Sequence, residues 1–247
     1  MKQESAPKRN AAEDLTSYEL MQRDAMLASV HDYIYPFANK EKDREITMEI
    51  LEAMRFVDRR FFVENPSVAF IDNAIPIGEG QTISQPSTVA RVLMLAKLTK
   101  GLSILEVGSG SGWNACLIAY LVHPGVVVSI EKIQSLSAKA RKNLQSFKEA
   151  IRSSSEGEVD KFALIEFRNA DFFKLAGNTY DRIIMTAGIG QEEDDIIKSI
   201  ALKLLNEKGI MVCPYQSGPL IILKKRNGAI SKEYTSEQYS FVPLVHD

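Results

Sequence analysis

The stretch Leu105-Glu106-Val107-Gly108-Ser109-Gly110-Ser111-Gly112-Trp113 limits the possible folds of this chain more than any other. Three glycines spaced by single residues follow a short apolar run and lead into a longer one. Glycine accepts positive φ and lets a ligand approach the backbone, so the segment predicts a tight turn from a strand into a helix. After Gly101 short apolar runs keep alternating with longer amphipathic segments. The pattern predicts strands at 102–107, 126–131, 162–168, 181–186, 209–214 and 219–224, and a last one near 235–242. Helices are expected over 112–122, 133–150 and 193–205. This is an α/β chain with a mostly parallel, seven-stranded sheet and helices on both faces. Val126-Val127-Val128-Ser129-Ile130 is nearly continuous apolar sequence, as a covered central strand requires. The last two strands have no helical interval between them, which predicts an antiparallel edge hairpin.

Upstream the pattern changes. Residues 1–45 are polar, carry charges of both signs and read as an N-terminal extension, partly helical or disordered. Within them Leu15 to Phe37 offers one or two helices before Pro36 interrupts. The main domain then runs over 46–247, and its first part, 46–100, is a helical region with a loop. Ile46, Ile50, Met54 and Val57 recur at helical spacing. Gln85 to Leu98 forms a second helix, with Pro86 in its first turn and Val89, Val92, Leu93 and Ala96 as an apolar stripe. The intervening Pro76–Ser84 loop is long and polar enough to reach over a ligand. Arg152 to Asp160, rich in Ser and charge, reads as an exposed insertion.

Composition removes several classes of function. With 45% hydrophobic and 25% charged residues among 247, the chain can bury a large core and is not disordered throughout. A formal charge of -2 gives no positive field for nucleic acid or anionic lipid. The longest apolar run, Ala115 to Val122, falls well short of the roughly 18 residues of a membrane span. Met1-Lys2-Gln3-Glu4-Ser5 opens no signal core, so a cytoplasmic location is expected. Cys116 and Cys213 lie in apolar stretches and read as small buried hydrophobes rather than a disulfide. His31, His123 and His246 are scattered, and no metal-ligand spacing appears.

The ligand follows from residues around the glycines. The dinucleotide pattern wants a small third residue at position 113, and Trp113 stands there, which disfavours a dinucleotide. Glu106 reads as a carboxylate facing the ligand end, better suited to a cationic amino-acid group than to a pyrophosphate. Glu131, 19 residues beyond Gly112, closes the second strand where a carboxylate can accept from both ribose hydroxyls; a solvated strand end is the alternative. Asp171, after the third strand, could bond an adenine amino group or cap a turn.

Glu106-Val107-Gly108-Ser109-Gly110-Ser111-Gly112, Glu131 and Asp171 together resemble the S-adenosylmethionine site of class I, Rossmann-like methyltransferases. Ile77-Gly78-Glu79-Gly80-Gln81-Thr82-Ile83-Ser84-Gln85-Pro86 is similar to the signature loop of the protein-L-isoaspartate (D-aspartate) O-methyltransferase family. Ala53-Met54-x-x-Val57-x-Arg59-x-x-Phe62-Val63, Tyr180 to Ala187 and Phe241-Val242-Pro243-Leu244-Val245 extend the resemblance over about residues 46–245. It implies S-adenosyl-L-methionine as cofactor, S-adenosyl-L-homocysteine as product, and Glu106, Gly108, Ser109, Gly110, Gly112, Glu131 and Asp171 as cofactor residues. It further implies isoaspartyl proteins or peptides as substrates and methyl ester formation as the first step of repair. A monomer is expected, without nucleic acid or membrane partners.

Such chemistry needs no base, because a carboxylate with a pKa of about 4 is already ionised near neutral pH. Ser84 is then the first candidate in the catalytic pocket and Thr82 the second, each able to align a carboxylate oxygen; Ser84 could equally cap the Pro86 helix. Ser87-Thr88 and Cys213-Pro214-Tyr215-Gln216 depart from the family pattern, as does Trp113 where Tyr is frequent. The alternatives are another carboxylate or modified peptide as acceptor, or a non-catalytic relative that binds S-adenosylmethionine or peptide. A nicotinamide oxidoreductase is disfavoured by Trp113. A nucleic-acid base methyltransferase is disfavoured by Met185-Thr186-Ala187-Gly188, which lacks the Asp/Asn-Pro-Pro-aromatic element.

Overall fold

A computed structural model describes residues 15–154 and 161–246. Helices α1 (Ser17–Ile34) and α2 (Glu41–Phe56) come first, followed by a small hairpin of β1 (Ile75–Gly78) and β2 (Gln81–Ile83) and by α3 (Pro86–Ala96). The alternating part then runs β3 (Ser103–Val107), α4 (Trp113–Val122), β4 (Val126–Glu131), α5 (Gln134–Ser154), β5 (Leu164–Asn169), β6 (Tyr180–Met185), α6 (Asp194–Leu204) and β7 (Leu205–Pro214). Four further strands close the fold: β8 (Ser217–Gly218), β9 (Leu220–Arg226), β10 (Ala229–Tyr234) and β11 (Tyr239–Ser240).

The main sheet has seven strands in the order β10-β9-β7-β6-β3-β4-β5. All neighbours are parallel except at β9, which runs antiparallel to both β7 and β10. From β3 the chain first builds outward through β4 and β5, then returns to place β6 and β7 on the other side. That reversal opens a crevice at the carboxyl end of β3, where open α/β sheets bind ligands.

Strand periodicity divides the core in two. Ile104, Val127, Phe167 and Ile184 face α3, α4 and α5, while Leu105, Val107, Val128, Ile183 and Met185 face α6. Cys116 and Cys213 lie on opposite faces, unbonded and fully buried, and burial pushes both thiols up in pKa.

Two expectations are corrected. The seventh strand is Ala229–Tyr234, not 235–242; Asn227 and Gly228, both at positive φ, turn β9 directly into β10, leaving only two residues of the expected stretch as strand. The boundary expected after residue 45 falls inside α2, whose Glu41 and Asp43 form a first turn that suits the helix dipole. Moreover α1, opened by a Thr16–Glu19 capping box, packs on α2 and α3 and contributes Met26, Leu27, Val30 and Ile34 to the same core. Residues 1–14 and 155–160, including most of the expected insertion, lie outside the described residues; 152–154 end α5.

Candidate active site

The bend after β3 is a backbone structure. Gly108, Gly110 and Gly112 have φ of 96, 49 and 88°, a region that side chains disfavour. Gly108 and Ser109 donate their N–H groups to the Ile130 carbonyl at 2.8 and 3.1 Å, so the turn is pinned across the end of β4. A Cβ on Gly108 would lie 2.3 Å from Thr186 Oγ1, which itself donates to the Gly108 carbonyl at 2.7 Å. A Cβ on Gly112 would press on Ala140 of α5 at 3.2 Å. Trp113 turns inward and is 1% exposed, so most of its bulk is taken up in the core.

Glu131 ends β4 as expected. Its carboxylate accepts from Gly110 N–H and Ile133 N–H, each at 3.0 Å, which fastens the bend and leaves lone pairs for further donors. Asp171 accepts from Phe173 N–H at 3.0 Å and pairs with Lys132 at 3.4 Å, so the turn-capping role is realised.

Glu106 does not face the cleft. Strand alternation points it, with Ile104, toward α4, where it is fully buried and bonded to Asn114 Nδ2 at 2.8 Å and to the Ser129 hydroxyl. Ser129 in turn meets Ser109 Oγ at 2.6 Å, so Glu106 supports the bend from beneath. Burial raises its pKa to about 8 against the pull of Ser129 and Asn114, with Glu131 adding to the rise.

Two hollows open on either side of the bend. One, with about 520 Å3 of empty space, is lined by Glu131, Ile133, Leu136, Phe172 and the C-terminal Val242–Val245. The other, about 490 Å3, is lined by Ser84, Thr88, Val89, Val92, Trp113, Asn114, Met185 and Phe241. They share Thr82, Gly108, Gly110 and Thr186 as lining. Thr82 and Ser84 are thus brought to the glycine bend, one on the shared boundary and the other beside it.

Ser84 is not the helix cap. Gln85 holds that position without a side-chain bond, and the free N–H of Ser87 in the first turn of α3 goes to Asp72 Oδ1 at 2.9 Å. Asp72 also takes the hydroxyls of Ser87 and, at 2.9 Å, Ser29. The anion at this helix N-terminus is therefore a protein carboxylate, and among the described residues nothing engages the hydroxyl of Ser84.

The departures from the family pattern find places too. Ser87 is committed to Asp72, while Thr88 faces the second hollow. Tyr215 turns into the core, donating to Asp194 Oδ1 at 2.7 Å, and Gln216 bonds Ile189 and Phe241 through its backbone. The walls supplied by Leu136 and Phe172 carry no chemical motif of their own. Val242–Val245, which enters the sequence reading only through the family resemblance, is brought to the site by the chain path, with Gly188 bonded to Val242 and Leu244 at 2.8 Å each. No group of three or more potential metal ligands occurs among the described residues, and no helix there is long and apolar enough to cross a membrane.

The sheet order and the bend are those of the class I methyltransferase fold. The family model described as "Protein-L-isoaspartate(D-aspartate) O-methyltransferase (PCMT)" matches residues 37–247, and the chain belongs to this family. A protein-L-isoaspartate O-methyltransferase of Pyrococcus abyssi is 35% identical over 206 residues, 81% of this chain and 87% of that protein. One from Cytophaga hutchinsonii is 35% identical over 215 residues, 83% and 86% of the two chains. Among solved structures, a Plasmodium falciparum protein described as a protein-L-isoaspartate O-methyltransferase, in complex with S-adenosyl-L-homocysteine, shares the fold. It has a TM-score of 0.71 at 20% identity, covering 90% of this chain and 98% of that one.

Proposed function

We propose that the protein transfers a methyl group from S-adenosyl-L-methionine to the free carboxylate of L-isoaspartyl and D-aspartyl residues, forming a methyl ester. Family membership supports the reaction and the cofactor. The observation that carries the reading is the meeting of two hollows at Thr82, Gly108, Gly110 and Thr186, with an unengaged serine hydroxyl beside the junction.

The residues fit the cofactor. Glycine at 108 leaves a path no side chain could share, Glu131 offers lone pairs where ribose hydroxyls would lie, and Leu136, Phe172 and Leu244 give apolar walls. When bound, the cofactor supplies an electrophilic methyl on a sulfonium and departs as S-adenosyl-L-homocysteine. The protein's own task is orientation. Ser84 donates to one acceptor oxygen and Thr82 borders the path between the hollows, so the second oxygen is presented toward the bend. No side chain has to remove a proton, since the acceptor is already an anion.

The test is labelled-methyl transfer to a matched pair of peptides, isoaspartyl and aspartyl. Labelling of the isoaspartyl peptide alone is expected; equal labelling of both, or none despite tight cofactor binding, assigns the site another acceptor or no turnover. Ser84→Ala should lower kcat by about 10-fold to 100-fold while leaving cofactor affinity unchanged.

A further inference from the structure

The largest buried charge in the acceptor half belongs to Arg59, which the reaction described above does not use. It is 1% exposed, and its Nη atoms donate to four backbone carbonyls: Ala69 at 2.8, Ile71 at 3.0, Asn73 at 3.1 and Ser84 at 3.0 Å. Three of these lie in the irregular 69–73 segment and the fourth at the end of β2. Its Cζ lies 5.0 Å from the ring centroid of Trp113, the first residue after the glycine bend, and Trp113 Nε1 donates to the Val57 carbonyl at 3.2 Å. The guanidinium therefore touches both halves of the site: the carbonyl of the acceptor serine on one side and the exit of the cofactor bend on the other.

A merely space-filling residue would not be charged here. Burial pushes the Arg59 pKa down to about 10, with Asp72 opposing the shift, so it stays charged at neutral pH in spite of the cost of desolvation. Its Nε has no hydrogen-bond partner, so what holds it is the set of four carbonyls and the ring. A planar fork with donors at fixed angles can serve four carbonyls from two segments at once, whereas an ammonium is a single point with three donors. Ser84 has no other side-chain anchor, and its hydroxyl is placed only as well as its backbone is.

We infer that Arg59 is a positioning residue for methyl transfer: through the Ser84 carbonyl and the face of Trp113 it fixes the height of the Ser84 hydroxyl relative to the glycine bend. This rests on the role given to Ser84 above, and the experiment separates the two. Turnover on the isoaspartyl peptide and cofactor affinity are measured for Arg59→Lys, Ser84→Ala and the double variant. Arg59→Lys should reduce kcat about 10-fold with cofactor Kd within about twofold, and the double variant should be scarcely slower than Ser84→Ala alone, because the two act as one unit. Losses that add in the double variant, or unchanged kcat in folded Arg59→Lys, overturn the inference while leaving Ser84 in place. Unchanged kcat in Ser84→Ala overturns the reading beneath it instead. Should Arg59→Lys not fold, the wild-type protein answers by nitrogen-resolved NMR. The Arg59 Nη protons should exchange slowly and shift when isoaspartyl peptide is added with S-adenosyl-L-homocysteine, and resonances indifferent to the peptide would contradict the role.

Discussion

On the cofactor side of the cleft the backbone is its own scaffold. Gly108 and Ser109 bond the end of β4, Glu131 grips Gly110, Thr186 closes on Gly108, and Glu106, Ser129 and Ser109 form a buried chain beneath. On the side where acceptor binding is proposed, a short hairpin and an irregular loop carry Ser84, and one guanidinium ties them together. The two halves should therefore fail separately: damage to the bend is expected to remove cofactor binding, and damage to the loop to remove turnover.

The largest effect is expected of Gly108→Val. A Cβ 2.3 Å from Thr186 Oγ1, at φ of 96°, forces the bend to move, and cofactor affinity measured by titration calorimetry should fall by about 100-fold or more. Retained affinity in a folded variant would show that the bend is not the binding element.

Glu106→Gln should change how stability depends on pH. A carboxyl whose folded pKa is raised keeps its proton in the native state while the unfolded chain loses it, so native stability falls as pH climbs from the ordinary carboxylate range toward about 8. The variant lacks that titration. Its thermal stability relative to wild type should rise across this window, by up to about 1.4 kcal/mol per pH unit, and parallel curves would mean that Glu106 is ionised in the fold.

The smallest expected effect lies farthest from the chemistry. Tyr33 in α1 and Tyr239 in β11 share a 2.8 Å hydrogen bond, and Phe241, two residues on, lines the acceptor hollow. Arg91 of α3 adds to the same brace, bonded to Glu237 at 2.8 Å and resting 3.8 Å from the ring centroid of Phe37. Tyr33→Phe should cost about 1 kcal/mol in chemical denaturation and raise the KM for peptide slightly, with cofactor affinity unchanged. A fall in cofactor affinity would tie α1 to the other half of the site.

The same contrast explains what could be read from the sequence. The glycine bend and the place of Glu131 at the end of β4 are legible because a strand, a turn and a helix lie close together in the chain, and spacing is preserved in the fold. The position of Glu106 before the glycines suggests the ligand end, whereas strand alternation sends its side chain under α4. The last strand of the sheet starts earlier than its apolar pattern suggests, at the turn Asn227-Gly228, which is a strong hairpin signal. The charged run from Lys40 to Glu45 looked like the end of an extension and is in fact the start of α2. The bracing of Ser84 could not be read at all, since Arg59, Asp72, Ser87 and Trp113 come together only through packing.

A structure with both S-adenosyl-L-homocysteine and an isoaspartyl peptide tests the account most directly. It should place the sulfur against Gly108–Gly112 and the isoaspartyl carboxylate within hydrogen-bond distance of Ser84 Oγ, on a line toward that sulfur. A carboxylate bound away from Ser84, or a sulfur lying outside the bend, would contradict it.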